Sequence, residues 1–381
     1  MEILLIGEYS RLHNSLKEGL AALGHEAHLL STGDDFKDYP SDTKVSSILK
    51  NNFISKFTGK IIYKLFKFNI FQEEIYFKTK KIVKNMSDFD VIQFINQDPF
   101  NLPANKATKI NDILFANNKK AFLLACGEDS YVIDYYARDY MRYSILTPLL
   151  LNPELEKDFE FSLKYIRPEY KKNYEHLIQE VQAIIPTDFD YAIPYASHPK
   201  ASQLIPTPIN IDKIKFKKLK IKERINIFHG INRGSYYKKG TPIVEEALKE
   251  LQLKYPDKIN IIYAENIPYN EYKNLYNDAH IFIDQLYSYD QGYNALEAMA
   301  SGKCVITGFE KEDQEYYNMN TPAINGAIDP KELFSQLEEL ILNPERIIEI
   351  GKNARQFVEE KHHYKKIAQE YLKLWQNQSN F

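Results

Sequence analysis

The chain has 381 residues, 44% of them hydrophobic, a formal net charge of -3 and a mean hydropathy of -0.46. That length suits two domains of ordinary size rather than one core, and the charge balance offers no basic groove for nucleic acid. No run of about 18 apolar residues occurs, so no helix is expected to span a membrane.

Residues 2–6, EILLI, read as a buried strand ending at Gly7. The opening MEILLIGEYS carries no basic leader and no small-residue cleavage site, so a cytoplasmic location is expected. A helix over 15–23 is stopped by Gly24, and 27–30 is the next strand. Such a β-α-β unit implies a parallel sheet. Residues 51–84 hold eight lysines against Glu73 and Glu74, interleaved with Phe53, Phe57, Tyr63, Phe66, Phe68, Phe71, Tyr76 and Phe77. The pattern fits two amphipathic helices with aromatics inward. It also fits a surface that meets anionic lipid headgroups, peripheral on the inner face of the plasma membrane. Strands are expected at 90–95, 121–125 and 181–185, a helix at 106–116, and helices and loops through 131–175. Two prolines stiffen an extended crossing, IPTPI, at 205–209.

The pattern then restarts. Expected elements are a strand at 225–229, a polar loop at 230–240, and a helix at 241–253 with Pro242 near its start. A strand at 261–264, a helix at 268–278, a strand at 281–284, a helix at 295–300 and a strand at 304–307 follow. Long helices are expected at 331–353 and 357–375. Two α/β units with a cleft between them is the architecture this alternation implies. Cys126 and Cys304 read as free thiols, no Cys/His/Asp/Glu cluster has zinc spacing, and His362 and His363 read as surface residues.

Open α/β sheets bind ligands beyond the carboxyl ends of their strands. The loop GINRGSYYKKG, 230–240, follows a strand and precedes a helix, and its Arg233 and Lys239 can converge on one anion at the helix N-terminus. A diphosphate would use both, the arginine as a bidentate donor and the lysine as a point charge. The loop is not a Walker A motif, and the first strand lacks GxGxxG. In GYNALEAMASGKCVITG, 292–308, Glu297 can accept hydrogen bonds from vicinal sugar hydroxyls. His229 ends a strand facing the same cleft, and Glu8 and Asp129 follow strands of the first half, as acids that could bind or orient an acceptor. No DxD-like motif at a strand end stands out as a metal clamp, so no metal is expected.

Residues 227–308 resemble the nucleotide-binding domain of retaining glycosyltransferases with the GT-B fold, the GT4 group. The matching pieces are HGINRGSYYKKGTPIVEEAL (229–248), HIFIDQ (280–285) and GYNALEAMASGKCVI (292–306). The resemblance implies an α/β fold of two Rossmann-like domains facing a cleft. Residues 1–205 would bind the acceptor, 206–356 would bind the nucleotide sugar, and 357–381 would be a helix crossing back to the first domain. It implies that Arg233 and Lys239 bind the donor diphosphate and neutralise charge on the leaving group, and that Glu297 binds ribose. Asn294, Ala295, Leu296, His229 and Gly7 would complete the donor site. The family's other glutamate, eight positions before Glu297, is here Tyr289; Asp290 or Asp284 would take its place, with Asp129 on the acceptor side. The implied reaction moves a sugar from a nucleotide diphosphate sugar, UDP favoured over GDP, to a hydroxyl of a glycan or lipid-linked acceptor. It would proceed with retention, in surface polysaccharide biosynthesis, without cofactor or metal. The rival readings are an epimerase or hydrolase of nucleotide sugars on the same architecture, and a degenerate module that binds nucleotide or glycan without turnover.

Overall fold

Short apolar runs alternating with helices give two all-parallel sheets. The computed structural model describes residues 1–34, 37–51, 53–66, 68–265, 267, 269–319 and 321–377. Strands β1 (Glu2–Ile6), β2 (Glu26–Ser31), β3 (Thr43–Lys44), β4 (Val91–Phe94), β5 (Ala121–Ala125) and β6 (Ala183–Pro186) form the first sheet, in the order β3-β2-β1-β4-β5-β6. Strands β7 (Ile225–Ile231), β8 (Ile259–Glu265), β9 (Ile281–Ile283), β10 (Cys304–Thr307) and β11 (Ile324–Asn325) form the second, in the order β11-β10-β9-β7-β8. The central strands are buried along their whole length, as AFLLA of β5 and CVIT of β10 show. That is the pattern of strands covered by helices on both faces. In each sheet the order reverses beside the first strand, between β1 and β4 and between β7 and β9, and such reversals open a crevice for a ligand.

Nine strands fall within a few residues of their expected positions; the two-residue edge strands β3 and β11 were not expected. Asn52 and Lys67 of the lysine-rich stretch, and Pro268 at the head of the helix expected over 268–278, lie outside the described residues. The helix expected over 331–353 is in fact two, Pro330–Leu342 and Pro344–Lys361. Pro344 lacks the N–H that would continue the first helix and is suited to begin the second. The expected boundary at 356/357 therefore falls inside a helix. The chain crosses back between the domains at His362 and His363, where Ile209 N–H donates to His362 O (2.7 Å) and Tyr364 N–H to Ile209 O (3.1 Å). His362 is 2% exposed, not a surface residue, and its Nδ1 lies 2.9 Å from Thr207 O. The last helix, Tyr364–Asn377, inserts Ile367, Ala368, Tyr371, Leu372 and Trp375 into the core of the first domain.

Candidate functional site

A cavity of about 290 Å³ opens between the carboxyl ends of the two sheets. The second domain lines it with Gly230 and Ile231 at the end of β7, Asn232, Ser235, Lys239, Ala264, Asp284 and Gln285, and with Gly292, Tyr293 and Asn294 at the start of the helix Tyr293–Ala300. The first domain contributes Ser10, Lys37 and Tyr39. Gly240, at φ +73°, lets the chain turn left-handed into the helix Thr241–Lys254. The turn is held by Leu286 N–H donating to Lys239 O (3.0 Å), which fixes the lysine at the cavity wall. Lys239 Nζ donates to Asp284 Oδ1 at 2.6 Å.

The expected residues are distributed unevenly around this space. Lys239 and Asn294 line it. Arg233 does not converge with Lys239: its guanidinium grips both oxygens of Glu265 (2.8 and 2.7 Å) and lies over the Tyr236 ring. The short helical turn Arg233–Ser235 points the arginine outward, whereas Lys239 follows it by about one helical turn. Glu297 is 2% exposed, with Lys273 Nζ 3.8 Å from its Oε1. His229 is 1% exposed, and burial lowers its pKa to about 4, so it is neutral, with Nδ1 3.4 Å from Ile283 O and Nε2 without a hydrogen-bond partner.

Five other expected residues, Ala295, Leu296, Gly7, Asp129 and Glu8, are not among those lining the cavity. Ala295 and Leu296 are fully buried in the second domain's core, and Leu296 N–H is already used by Gly292 O (3.0 Å); helical periodicity turns them inward. Gly7 does not stand among the cavity-lining residues; at φ +87° it makes the tight turn after β1, where a Cβ would meet Ile95 Cγ2 at 2.3 Å. Asp129 is 1% exposed and caps the helix Ser130–Ala137 by accepting from Val132 N–H (2.7 Å) and Tyr195 OH (2.8 Å). Glu8 is likewise buried, accepting from Asn14 N–H (2.9 Å) and Asn14 Nδ2 (2.6 Å).

A second cavity, of about 200 Å³, adjoins the first and shares Ser10, Gln285, Gly292 and Tyr293 with it. Asp188, Asp190 and Asp290 line it together with Tyr9, Cys126 and Tyr191. Asp190 accepts from Tyr289 N–H (2.9 Å) and Ser288 Oγ, and Asp290 from Gln291 N–H (2.6 Å) and Phe189 N–H (3.4 Å), so both join the two domains. Burial, and then mutual repulsion, holds the Asp188 and Asp313 carboxyls far above the usual range; Asp190 and Asp290 are raised chiefly by burial. Asp188-Phe189-Asp190 is a DxD triplet one residue beyond β6, contrary to the expectation that no such motif stands at a strand end; its signal in the sequence is two acids following an apolar strand. Among the described residues, no group of three or more His, Cys, Asp or Glu is arranged to hold a metal ion. Tyr289 is an interdomain contact: its hydroxyl accepts from Arg142 N–H (3.0 Å) and its ring lies 4.5 Å from the Arg142 guanidinium. Cys126 and Cys304 are free thiols.

Residues 224–373, fewer than half of the chain, match the family described as glycosyl transferase-like. No curated protein matches the chain. Among solved structures, sucrose-phosphate synthase from Thermosynechococcus elongatus is similar with a TM-score of 0.60 at 14% identity, covering 99% of this chain and 98% of that one. HepE of Anabaena in complex with UDP-glucose gives 0.56 at 11%, covering 99% and 100%. A putative UDP-N-acetylglucosamine 2-epimerase from Listeria monocytogenes gives 0.53 at 12%, covering 97% and 94%. The chain therefore has the two-domain GT-B fold along its whole described length.

Proposed function

We propose that the protein is a glycosyltransferase of the retaining GT4 type. It would transfer a sugar from a nucleotide diphosphate sugar to a hydroxyl of a glycan or lipid-linked acceptor in surface polysaccharide biosynthesis. The observation that carries this reading is the placement of Lys239 and the first turn of the helix Tyr293–Ala300 on one cavity at the carboxyl ends of the second sheet. A helix N-terminus and a lysine together favour a diphosphate. Lys239 would exchange Asp284 for a phosphate oxygen, and Arg233 would swing from Glu265 to the same group, so that both stabilise charge on the departing diphosphate. Glu297 would take the ribose, and Asp290, in the wall of the second cavity, would face the transferred sugar. The acceptor would enter through the second cavity, where tyrosines and carboxyls suit a hydroxyl-rich ligand. Electrostatic relief by Arg233 and Lys239 makes a metal unnecessary, so turnover should survive a chelator; its loss would implicate Asp188 and Asp190 instead.

HepE was solved with UDP-glucose, which makes UDP the first base to try. Calorimetric titration with UDP, GDP and ADP tests the reading. UDP should bind selectively, and Lys239→Ala and Arg233→Ala should each weaken it on the order of 10- to 100-fold, the range for a hydrogen bond to a charged group. Unchanged affinity in both variants would overturn the assignment. A second reading, epimerisation or hydrolysis of the donor, draws on Asp188 of the second cavity, whose carboxyl is held well above the usual range by burial and then by Asp190 and Asp290, since a carboxyl kept protonated can act as a general acid. Donor turnover with no acceptor present would favour it.

A further inference from the structure

The helix Phe53–Phe66 has an apolar ridge of the kind that core helices bury, yet it is exposed. Phe53, Phe57, Ile61 and Leu65 recur every fourth residue, so they stand on one ridge, and they are 83, 62, 43 and 68% exposed. The adjoining ridge is Lys56, Lys60 and Lys64, each exposed. The opposite side carries Gly59, which is buried because the Phe71 ring packs against it, 2.8 Å from where a Cβ would stand. Phe66, Phe68 and Phe77, at 73, 47 and 64% exposure, extend the apolar surface. A helix folded onto its own protein turns such a ridge inward; this one turns it out.

The charges around the patch are of one sign. No acid occurs between Asp42 and Glu73. Glu73 is paired with Lys106, and Glu74 holds Lys78, Ser47 Oγ and the amides of Ile48 and Leu49. Among the described residues, Lys56, Lys60 and Lys64 form no ion pair. We propose that this helix is a docking surface for an anionic lipid bilayer, lying in the plane of the interface with its phenylalanines among the headgroups and its lysines on lipid phosphates. A second copy of the chain fits less well, because it would set one lysine ridge against another. The proposal is independent of the transfer reading, since it concerns empty vesicles.

The full chain should co-sediment with phosphatidylcholine vesicles containing a quarter phosphatidylglycerol and remain in solution with phosphatidylcholine alone. The combined Lys56→Gln, Lys60→Gln, Lys64→Gln variant should lose affinity on the order of 100-fold, from about fivefold per lysine. In Phe57→Trp, emission should shift to shorter wavelength on anionic vesicles only; the native Trp375 is fully buried and supplies a constant background. Circular dichroism should match the parent for every variant, because each altered side chain is exposed. Absent binding, equal binding to both vesicle types, undiminished binding by the glutamine variant, or an unmoved tryptophan spectrum would each overturn the proposal. A patch-dependent dimer in sedimentation velocity, with no vesicle binding, would assign the surface to a second copy instead. Because no nucleotide or acceptor is present, failure here leaves the donor-binding result untouched, and the reverse holds too.

Discussion

Glu8 stands at the end of β1, 2% exposed, and burial pushes its carboxyl up to about 8 against the favourable bonds from Asn14. The folded state therefore holds a proton that the unfolded state releases near pH 4.5, and the protein loses stability as pH rises through that window to about 8. His13 and His229 act in the opposite sense: burial lowers both to about 4, so their contribution disappears as pH falls from 6.5 toward that value. A paired comparison separates the two. Glu8→Gln should gain thermal midpoint relative to the parent as pH is raised from about 4.5 to about 8, and a constant difference would contradict a protonated Glu8. Lys239 could be read from sequence because its loop order alone fixes its place. Asp188 and Asp190 carried a signal, two acids following an apolar strand, whereas Lys37 carried none, since its place at the cavity arises from elements far apart in the chain. Tyr289 registered only as a departure from the family's pattern. The partner that explains it, Arg142, lies 147 residues earlier.

At the scale of elements, the strands were legible because both faces are covered and their sequences are unbroken apolar runs. Helix ends were less so, and the stretch 131–175 resolves into short helices and 3-10 turns whose packing has no periodic signature. The orientation of 51–84 was open from sequence, since periodicity marks a ridge but not what lies against it. The helices Leu12–Ala22 and Tyr364–Asn377 meet at Gly19, where a Cβ would lie 2.5 Å from Tyr364 O and 2.8 Å from Ala368 Cβ. Gly19→Ala should raise intrinsic helix propensity yet destabilise the fold by about 1–3 kcal/mol through that overlap. Chemical denaturation measures it, and an unshifted midpoint would show that the two helices do not pack so closely.

At the scale of the molecule, the cleft is closed by polar contacts. Lys238 reaches Glu128 (2.5 Å), Ser15 Oγ meets Tyr293 OH (2.8 Å), and Arg142 bonds Glu312 (2.7 and 2.8 Å) and Glu310 (2.8 Å). Arg142 is 43% exposed, so its pairs contribute about 1 kcal/mol or less to folding. They are better placed to bias how the two domains close on each other. Arg142→Ala should enlarge the scattering radius of the unliganded protein while leaving its melting temperature nearly unchanged; an identical radius would place the latch elsewhere. The two crossings, at 205–209 and at His362–His363, run side by side and are bonded to each other through Ile209. This stitched pair also orders biosynthesis. The second domain is a continuous stretch, but the first must wait for Tyr371 and Trp375 before its core is whole. Domains made earlier on the ribosome usually fold earlier. Here the domain begun first is finished last, and one face of its completed sheet must be kept from aggregating while the rest of the chain is translated.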